Sequence, residues 1–135
     1  MTPESIIAAG GLVLVVVSLA VLIFRKLPKR IKAPHYTKKW RDIQKLCNDK
    51  SNWSQAILLS DELLNEVLRK KNKSGKTMGE RMVSAQEDFS SNDAIWKAHK
   101  LANRIRTGEV DTPKEQEVKE SLVAFRQSLR DLGAL

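Results

Sequence analysis

The amino-terminal part of this sequence contains an uninterrupted apolar stretch, Ile6–Phe24, which constrains the chain more than any other feature. It has nineteen residues and no charged side chain. As a helix rising about 1.5 Å per residue it would reach roughly 28 Å, close to the hydrocarbon thickness of a bilayer. Pro3 and Pro28 flank the stretch and do not interrupt it. The pattern predicts a single transmembrane helix over residues 6–24, preceded by a short extracytoplasmic amino terminus, residues 1–5.

Two alternative interpretations of this apolar stretch fit less well. A core helix of a globular domain rarely stays apolar on all sides over nineteen residues. A cleaved signal peptide typically has a positive amino-terminal region, a shorter apolar run and small residues at the cleavage site. Here residues 1–4 carry no side-chain cation, and the stretch ends in Phe24-Arg25-Lys26. An uncleaved anchor is therefore the favoured interpretation.

A dense group of cations follows the apolar stretch. Residues 25–41 contain eight Lys and Arg and no Asp or Glu. Because Lys and Arg close to a span are retained in the cytoplasm, the amino terminus is expected outside and the rest of the chain inside the plasma membrane. Anionic lipids attract such segments, although a topology signal with no further role is an equally open interpretation. The basic residues expected to face the lipid are Arg25, Lys26, Lys29, Arg30 and Lys32.

The net charge of +8 does not by itself indicate a nucleic-acid-binding protein. From Asp42 onward the chain has 16 cations against 15 acids, so the remaining domain is nearly neutral. Cys47 is the only cysteine, which excludes a disulfide within the chain and agrees with a reducing compartment. His35, Cys47 and His99 lack the spacing of metal ligands. Neither a metal nor a cofactor is expected.

The remainder of the chain predicts an all-α fold. Pro28 and Pro34 disfavour continuation of the first helix, so residues 25–36 are expected to form a basic linker. No stretch beyond Pro34 alternates with the period of two typical of strands. Residues 37–135 predict a cytoplasmic bundle of about five helices, one of them short. The first three helices are expected to begin at a Thr37 cap, at Trp53 (ending at Lys71) and at the capping box Thr77-Met78-Gly79-Glu80. The fourth is expected over Asp93–Arg106, after the weaker capping-box pattern Ser90-Ser91-Asn92-Asp93 with Ser90 as the cap, and the last begins at Thr112-Pro113.

Two apolar stripes at helical spacing predict the centre of the bundle. The second helix of the domain has its stripe at residues 53, 56, 57, 60, 64 and 67, and the last helix at residues 118, 122, 125, 129 and 132. Leu64, Leu122 and Phe125 belong to these stripes and are expected to be buried. Gly133 is expected to end the last helix.

The helix 93–106 has the most distinctive arrangement of polar residues. At 100° per residue, an indole, an imidazole, an amide and a guanidinium share one strip beside the apolar face. Such a strip is compatible with boundary packing, in which a histidine and an asparagine four residues apart bond to each other. It is also compatible with a binding surface, which would need to be at least partly exposed. The candidate binding residues are Trp96, His99, Asn103 and Arg106.

Three segments of the domain carry a resemblance to a known family. They read T-M-G-E-R at 77–81, W-K-A-H-K-L-x-N-R-I at 96–105 and L-R-D-L-G-A-L at 129–135. Over residues 37–135 the chain resembles bacterial single-span membrane proteins with a HEPN-like helical domain. HEPN ribonucleases carry an Arg, commonly followed by Asn, and then a His several residues later. Asn103 matches that Asn, but Ala102 and Thr107 occupy the Arg and His positions, so the resemblance implies the fold more than the activity.

Two functional hypotheses follow. The first is a membrane-anchored, non-catalytic helical interaction module that docks a cytoplasmic protein partner. The alternative is a membrane-tethered HEPN-type ribonuclease or RNA-binding domain, in which Arg104 or Arg106 with His99 would act on the RNA. A homodimer through the helical domain could bring two such strips together.

Overall fold

The computed structural model describes the backbone of residues 3–26 and 32–135, and the side chains of residues 11, 13–23 and 32–135. Within these residues the chain forms six α-helices and one short 3₁₀ turn, without a β-strand. The all-α fold class is therefore confirmed. The helices are α1 (Pro3–Lys26), α2 (Ala33–Leu46), α3 (Trp53–Lys70), α4 (Met78–Ser84), α5 (Asn92–Arg106) and α6 (Glu115–Asp131), with the 3₁₀ turn at Lys50–Asn52.

The first helix exposes the large apolar side chains that the structure describes within it. Nine large apolar residues between positions 13 and 23 are 45% to 70% exposed. Among the residues that the structure describes, no helix is long and apolar enough to cross a membrane, so the predicted span over 6–24 is not supported. Of the expected lipid-facing cations, Lys32 is exposed. The side chains of Arg25, Lys26, Lys29 and Arg30 lie outside the described residues.

Helix α3 is the centre of the bundle. It packs against α2, α4, α5 and α6, and α5 and α6 also pack against each other. Its ends lie within one residue of those predicted, because the apolar stripe runs along its whole length. The side chains that it buries completely or almost completely are Ala56, Ile57, Ser60, Asp61, Leu63, Leu64, Val67 and Leu68.

Helix α2 begins earlier than the sequence predicts. Its first residue is Ala33, four residues before the expected Thr37 cap, so Pro34 lies in the first turn. Proline is tolerated there because amides of the first turn have no partner within the helix. Tyr36, Trp40 and Ile43 are buried on the side that packs against α3.

The amino-terminal end of helix α4 is fixed by a capping box and by the loop that precedes it. The predicted capping box is confirmed, with Thr77 Oγ1 accepting from the Glu80 amide and the Glu80 carboxylate accepting from the Thr77 amide. Gly75 precedes it with φ +146°, and a Cβ at this position would lie 2.6 Å from Glu80 Cβ and 2.7 Å from Arg81 N. Only glycine therefore allows the preceding loop to approach α4 this closely.

The starts of α5 and α6 differ from the predicted ones. Ser91 rather than Ser90 caps α5, and its hydroxyl accepts from the Ala94 amide at 3.3 Å. The last helix begins at Glu115, two residues after Pro113, which is fully buried rather than placed at the first helical position. Glu117 then accepts from the Lys114 amide at 3.3 Å. The prediction of a Thr112 cap was therefore wrong.

Two of the three predicted core residues are buried. Leu64 and Phe125 are fully buried, whereas Leu122 is only partly buried at the edge of the core. At 100° per residue Leu122 lies roughly 60° from Phe125 around α6, and the small Ser121 and Ser128 occupy the inner face instead. Small side chains allow neighbouring helices to approach closely, which moves the wider Leu122 to the margin.

Replacing Phe125 by Ala should lower the free energy of unfolding by about 3–5 kcal/mol, because a fully buried aromatic side chain leaves a cavity. Chemical denaturation of the purified protein measures this change. Val123→Ala is the matched control, since Val123 lies on the same helix and is 68% exposed. Equal effects of the two substitutions would show that the inner face of α6 is wrongly assigned.

The carboxyl-terminal end of α6 is tied to the start of α5 through Asp131. Its carboxylate accepts from the Ser90 amide and from the Ser90 hydroxyl, both at 2.7 Å, and from the Gln127 amide at 2.9 Å. Partial desolvation raises the pKa of Asp131, but these hydrogen bonds outweigh it and hold the pKa below the ordinary value of 3.8. The ionised carboxylate therefore stabilises the folded state.

Asp131→Asn should lower the free energy of unfolding at neutral pH by the order of 1 kcal/mol, the scale of a net hydrogen bond. Because the folded pKa is depressed, the contribution is complete above 3.8 and is lost as the pH falls through the folded value. Denaturation curves of both proteins should therefore converge under more acidic conditions. A difference that persists there would show that the effect is not electrostatic.

Candidate functional site

Four polar side chains of α3 and α5 form a closed cycle of contacts, which we call the Asp61 ring. Asp61 Oδ1 lies 2.8 Å from His99 Nδ1, and Asp61 Oδ2 accepts from Arg106 Nη2 at 2.5 Å. Arg106 Nη1 donates to Asn103 Oδ1 at 2.8 Å. Asn103 Nδ2 lies 3.4 Å from His99 Nε2, which closes the cycle.

The contacts of the Asp61 ring assign a role to each atom. Arg106 only donates, so the oxygen of Asn103 must face it and the amide nitrogen must face His99. Because Asn103 Nδ2 is a donor, Nε2 of His99 accepts and Nδ1 donates to Asp61. Both oxygens of Asp61 and both nitrogens of His99 are thus engaged within the protein.

The Asp61 ring runs from the core to the surface. The side chain of Asp61 is 1% exposed, that of His99 10% and that of Arg106 37%, while Asn103 is exposed. A buried carboxylate is tolerated only when it is paired and hydrogen-bonded, and here an imidazole and a guanidinium supply both contacts. The buried part of the ring therefore fixes the exposed amide and guanidinium in position.

Trp96 and α4 border the Asp61 ring. The partly buried indole meets the His99 ring edge-on, with 6.0 Å between the ring centroids. A Cβ on Gly79 would lie 3.6 Å from the indole, so the first turn of α4 lies against Trp96. Between α3, α4 and α5 the surface forms an open cleft of about 530 Å³, which is lined by Asp61, Glu62, Asn65, Thr77, Met78, Gly79, His99, Asn103 and Arg106.

The cleft has little net positive charge. Asp61 compensates Arg106 at 2.5 Å, and the carboxylate of Glu62, on the exposed side of α3, also lines the cleft. The neighbouring Asn65 accepts from Arg81 Nη1 at 2.9 Å, so its carbonyl oxygen is already engaged. The cleft therefore presents hydrogen-bond donors without the excess of cations that a polyanion would need.

The structure brings together the four residues that the sequence groups on one strip. His99 and Asn103 contact each other, as the boundary-packing interpretation requires. Asn103 and Arg106 are exposed and Trp96 is partly buried, but His99 is buried rather than exposed. His99 is thus a supporting residue of the strip rather than part of its accessible surface.

Sequence reasoning missed Asp61. It lies four residues after Ile57 and three before Leu64, within the apolar stripe of α3, and it is as buried as they are. A carboxylate at such a position is a signal, because burial without a partner would be costly. The sequence pattern could not identify its partners, since His99 is 38 positions away along the chain.

The HEPN resemblance places its Arg and His positions at Ala102 and Thr107. Ala102 is fully buried in the core, and Thr107 is exposed at the end of α5, where its hydroxyl donates to the Arg104 carbonyl at 3.2 Å. Neither residue belongs to the Asp61 ring.

Other reactive groups lie outside the cleft. Burial raises the pKa of the Cys47 thiol, at the end of α2, which reduces its reactivity. Among the residues described, no group of three or more His, Cys, Asp or Glu side chains is placed to hold a metal ion. The Asp61 ring is therefore the candidate site that the geometry favours.

Searches against protein-family models, curated proteins and solved structures find no match to this chain.

Asp61→Asn should lower the free energy of unfolding by about 3 kcal/mol, because it removes the buried negative charge and one of the two oxygens that accept from His99 and Arg106. Thermal or chemical denaturation measures the change. Glu109→Gln provides the control, since it breaks only an exposed ion pair with Arg104 and should cost well under about 1 kcal/mol. If both variants are equally stable, the ring does not support the fold.

Proposed function

We propose that this chain is a membrane-anchored, non-catalytic helical interaction module. Its docking surface for a cytoplasmic protein partner is the cleft bordered by Trp96, Asn103 and Arg106. The observation that carries the proposal is the closure of the Asp61 ring. Every acid–base atom of Asp61 and His99 is already engaged, whereas the exposed guanidinium and amide are held in fixed positions.

The geometry suits recognition better than proton transfer. A general base needs a free lone pair within reach of the substrate, and Asn103 lies against the only acceptor nitrogen of His99. By contrast, Arg106 uses one N–H for Asp61 and one for Asn103, so three of its five donors remain for a partner. Immobilising a long side chain before binding also removes part of the entropic cost of binding.

The chemistry of the cleft defines the partner that it would accept. Trp and Arg are the residue types in which binding energy concentrates, and here a partly buried Trp96 lies beside Arg106. Because Asp61 compensates the guanidinium and Glu62 adds a negative charge, the site favours polar acceptors such as peptide carbonyls over dense phosphates. A helical or extended protein segment with an apolar side chain for Trp96 would satisfy both features.

We infer that the anchor is the apolar segment of residues 6–24. Support comes from its nineteen uncharged residues and from the exposure of the apolar side chains described within α1. The eight cations of residues 25–41 favour an amino terminus outside and a cytoplasmic domain. The linker cations Arg25, Lys26, Lys29, Arg30 and Lys32 would then lie near anionic headgroups.

A second candidate function rests on the composition of the same cleft. A carboxylate, an imidazole and a guanidinium lie within one hydrogen-bonded group, and ribonucleolytic cleavage requires an acid or base together with a cation on the phosphate. This is the HEPN-type ribonuclease hypothesis. It would require His99 to exchange Asn103 for the RNA, so Asn103→Ala should increase cleavage rather than reduce it.

Site-specific photo-crosslinking of the intact protein in its native membrane tests the proposal. A photoreactive residue at exposed position 103 should give a discrete protein adduct, whereas one at exposed position 123, on α6, should give none. Arg106→Ala should reduce the adduct at 103, because it removes the guanidinium that is proposed to contact the partner beside this position. Adduct formation is read from the mass shift on denaturing gels.

The nature of the adduct separates the two candidates. A protease-sensitive, nuclease-resistant adduct supports the interaction module. A nuclease-sensitive adduct, together with RNA cleavage by the purified protein that disappears in His99→Ala, would overturn it in favour of the ribonuclease. Equal adducts from positions 103 and 123 would contradict a specific surface at the Asp61 ring.

A further inference from the structure

Helix α2 presents a row of cations that the packing of the bundle does not use. Lys38, Arg41 and Lys45 are exposed and lie three and four residues apart, on one face of the helix. The buried Tyr36, Trp40 and Ile43 lie on roughly the opposite face. We call Lys38, Arg41 and Lys45 the α2 ridge.

The charges of the ridge are largely uncompensated. Among the described side chains, no carboxylate lies within ion-pair distance of Lys38 or Arg41, and Lys45 has only Asp42 at 3.8 Å. Lys39 differs, because it points away from the ridge and bonds to Glu66 at 2.9 Å. The cations that remain accessible are therefore those that face away from α3.

The chain length places the ridge near the bilayer once α1 is anchored. Six residues, 27–32, separate the end of α1 from the start of α2, so the connection reaches at most about 25 Å. A tethered surface experiences a high effective concentration of its target, which makes even weak contacts productive. The nearest large surface of opposite charge is then an anionic lipid leaflet.

We propose that α2 docks along its length on anionic lipid headgroups through Lys38, Arg41 and Lys45. This inference rests on the proposed membrane anchor. The contact is electrostatic and peripheral, because the apolar residues of α2 are committed to the core and no large apolar side chain accompanies the ridge. The anchor would only attach the bundle to the bilayer, whereas docking through the α2 ridge would also fix the orientation of the bundle.

The test uses the full chain added to preformed vesicles of phosphatidylcholine, with or without phosphatidylserine. A membrane-impermeant amine reagent reports the accessibility of Lys38 and Lys45 by mass spectrometry, and Lys97 and Lys119 serve as internal controls on α5 and α6. In vesicles containing phosphatidylserine, labelling of Lys38 and Lys45 should fall several-fold, and raising the salt should restore it. Labelling of Lys97 and Lys119 should not change.

Two matched variants sharpen the result. Arg41→Gln should reduce the protection of Lys38 and Lys45 by up to about fivefold, the contribution of one cation near an anionic surface. Arg104→Gln removes another exposed cation, on α5, and should leave the protection unchanged. Equal labelling in both vesicle types, or equal effects of the two variants, would overturn the proposal.

Flotation separates failure of docking from failure of the anchor. Flotation with phosphatidylcholine vesicles alone supports the anchor, and the labelling pattern then decides the docking. If the chain floats only with phosphatidylserine and Lys38 and Lys45 are protected, the anchor is wrong and the docking surface stands. If the chain floats with neither, both proposals fail.

Discussion

The carboxylate of Asp61 is the constraint on which the arrangement of the central helices depends. It lies in the buried stripe of α3, where an uncompensated charge would be incompatible with folding. Its two partners, His99 and Arg106, both come from α5 and lie seven residues apart, almost two turns. Rotating α3 by one residue would turn the carboxylate by about 100° and leave it unpaired. The pair therefore sets the rotation and register of α3 against α5, which apolar contacts specify much less sharply.

This constraint reaches the surface through Asn103 and Arg106. The guanidinium bridges the buried carboxylate and the exposed amide, so the position of the amide is set by a residue in the core. Helix α4 adds a second boundary, because its first turn lies against Trp96 at Gly79 and is capped by Thr77. The exposed part of the cleft is thus made of side chains with few alternative conformations. Such preorganisation is what a binding surface requires, whereas a catalytic histidine would need an accessible nitrogen.

Patterns of neighbouring residues in the sequence predicted those structural features that depend on contacts between neighbouring residues. The stripe of α3 and the Thr77 capping box were confirmed, because each depends on residues within a few positions of one another. Helix starts were less predictable where several polar residues compete for one cap. Ser90 resembled a cap for α5, but Asp131 at the end of α6 engages it, and Ser91 becomes the cap instead. A contact over 41 positions decided the outcome, and no local pattern contains it.

In the candidate site, too, the local contacts were predictable and the long-range contact was not. Contacts of His99, Asn103 and Arg106 at spacings of four and three follow from helical geometry, so their grouping was predictable. The contribution of Asp61 depends on the packing of α3 against α5, so the sequence pattern did not predict it. Its presence changes the interpretation of His99, since an imidazole held at both nitrogens is a structural element. The sequence predicted a strip that is at least partly exposed if it forms a contact surface, and within it His99 is buried because Asp61 and Asn103 hold its two nitrogens.

The acidic residues of α3 relate the two proposed surfaces to each other. Glu66 bonds to Lys39 of α2, whereas Glu62, one turn earlier on α3, lines both the groove beside α2 and the cleft of the Asp61 ring. Both carboxylates line the groove beside α2. An anionic leaflet would repel them while it attracts Lys38, Arg41 and Lys45, so docking through the ridge favours orientations in which the acidic side of α3 faces away from the lipid. Because the cleft shares Glu62 with that side, the proposed docking would leave the cleft facing away from the lipid.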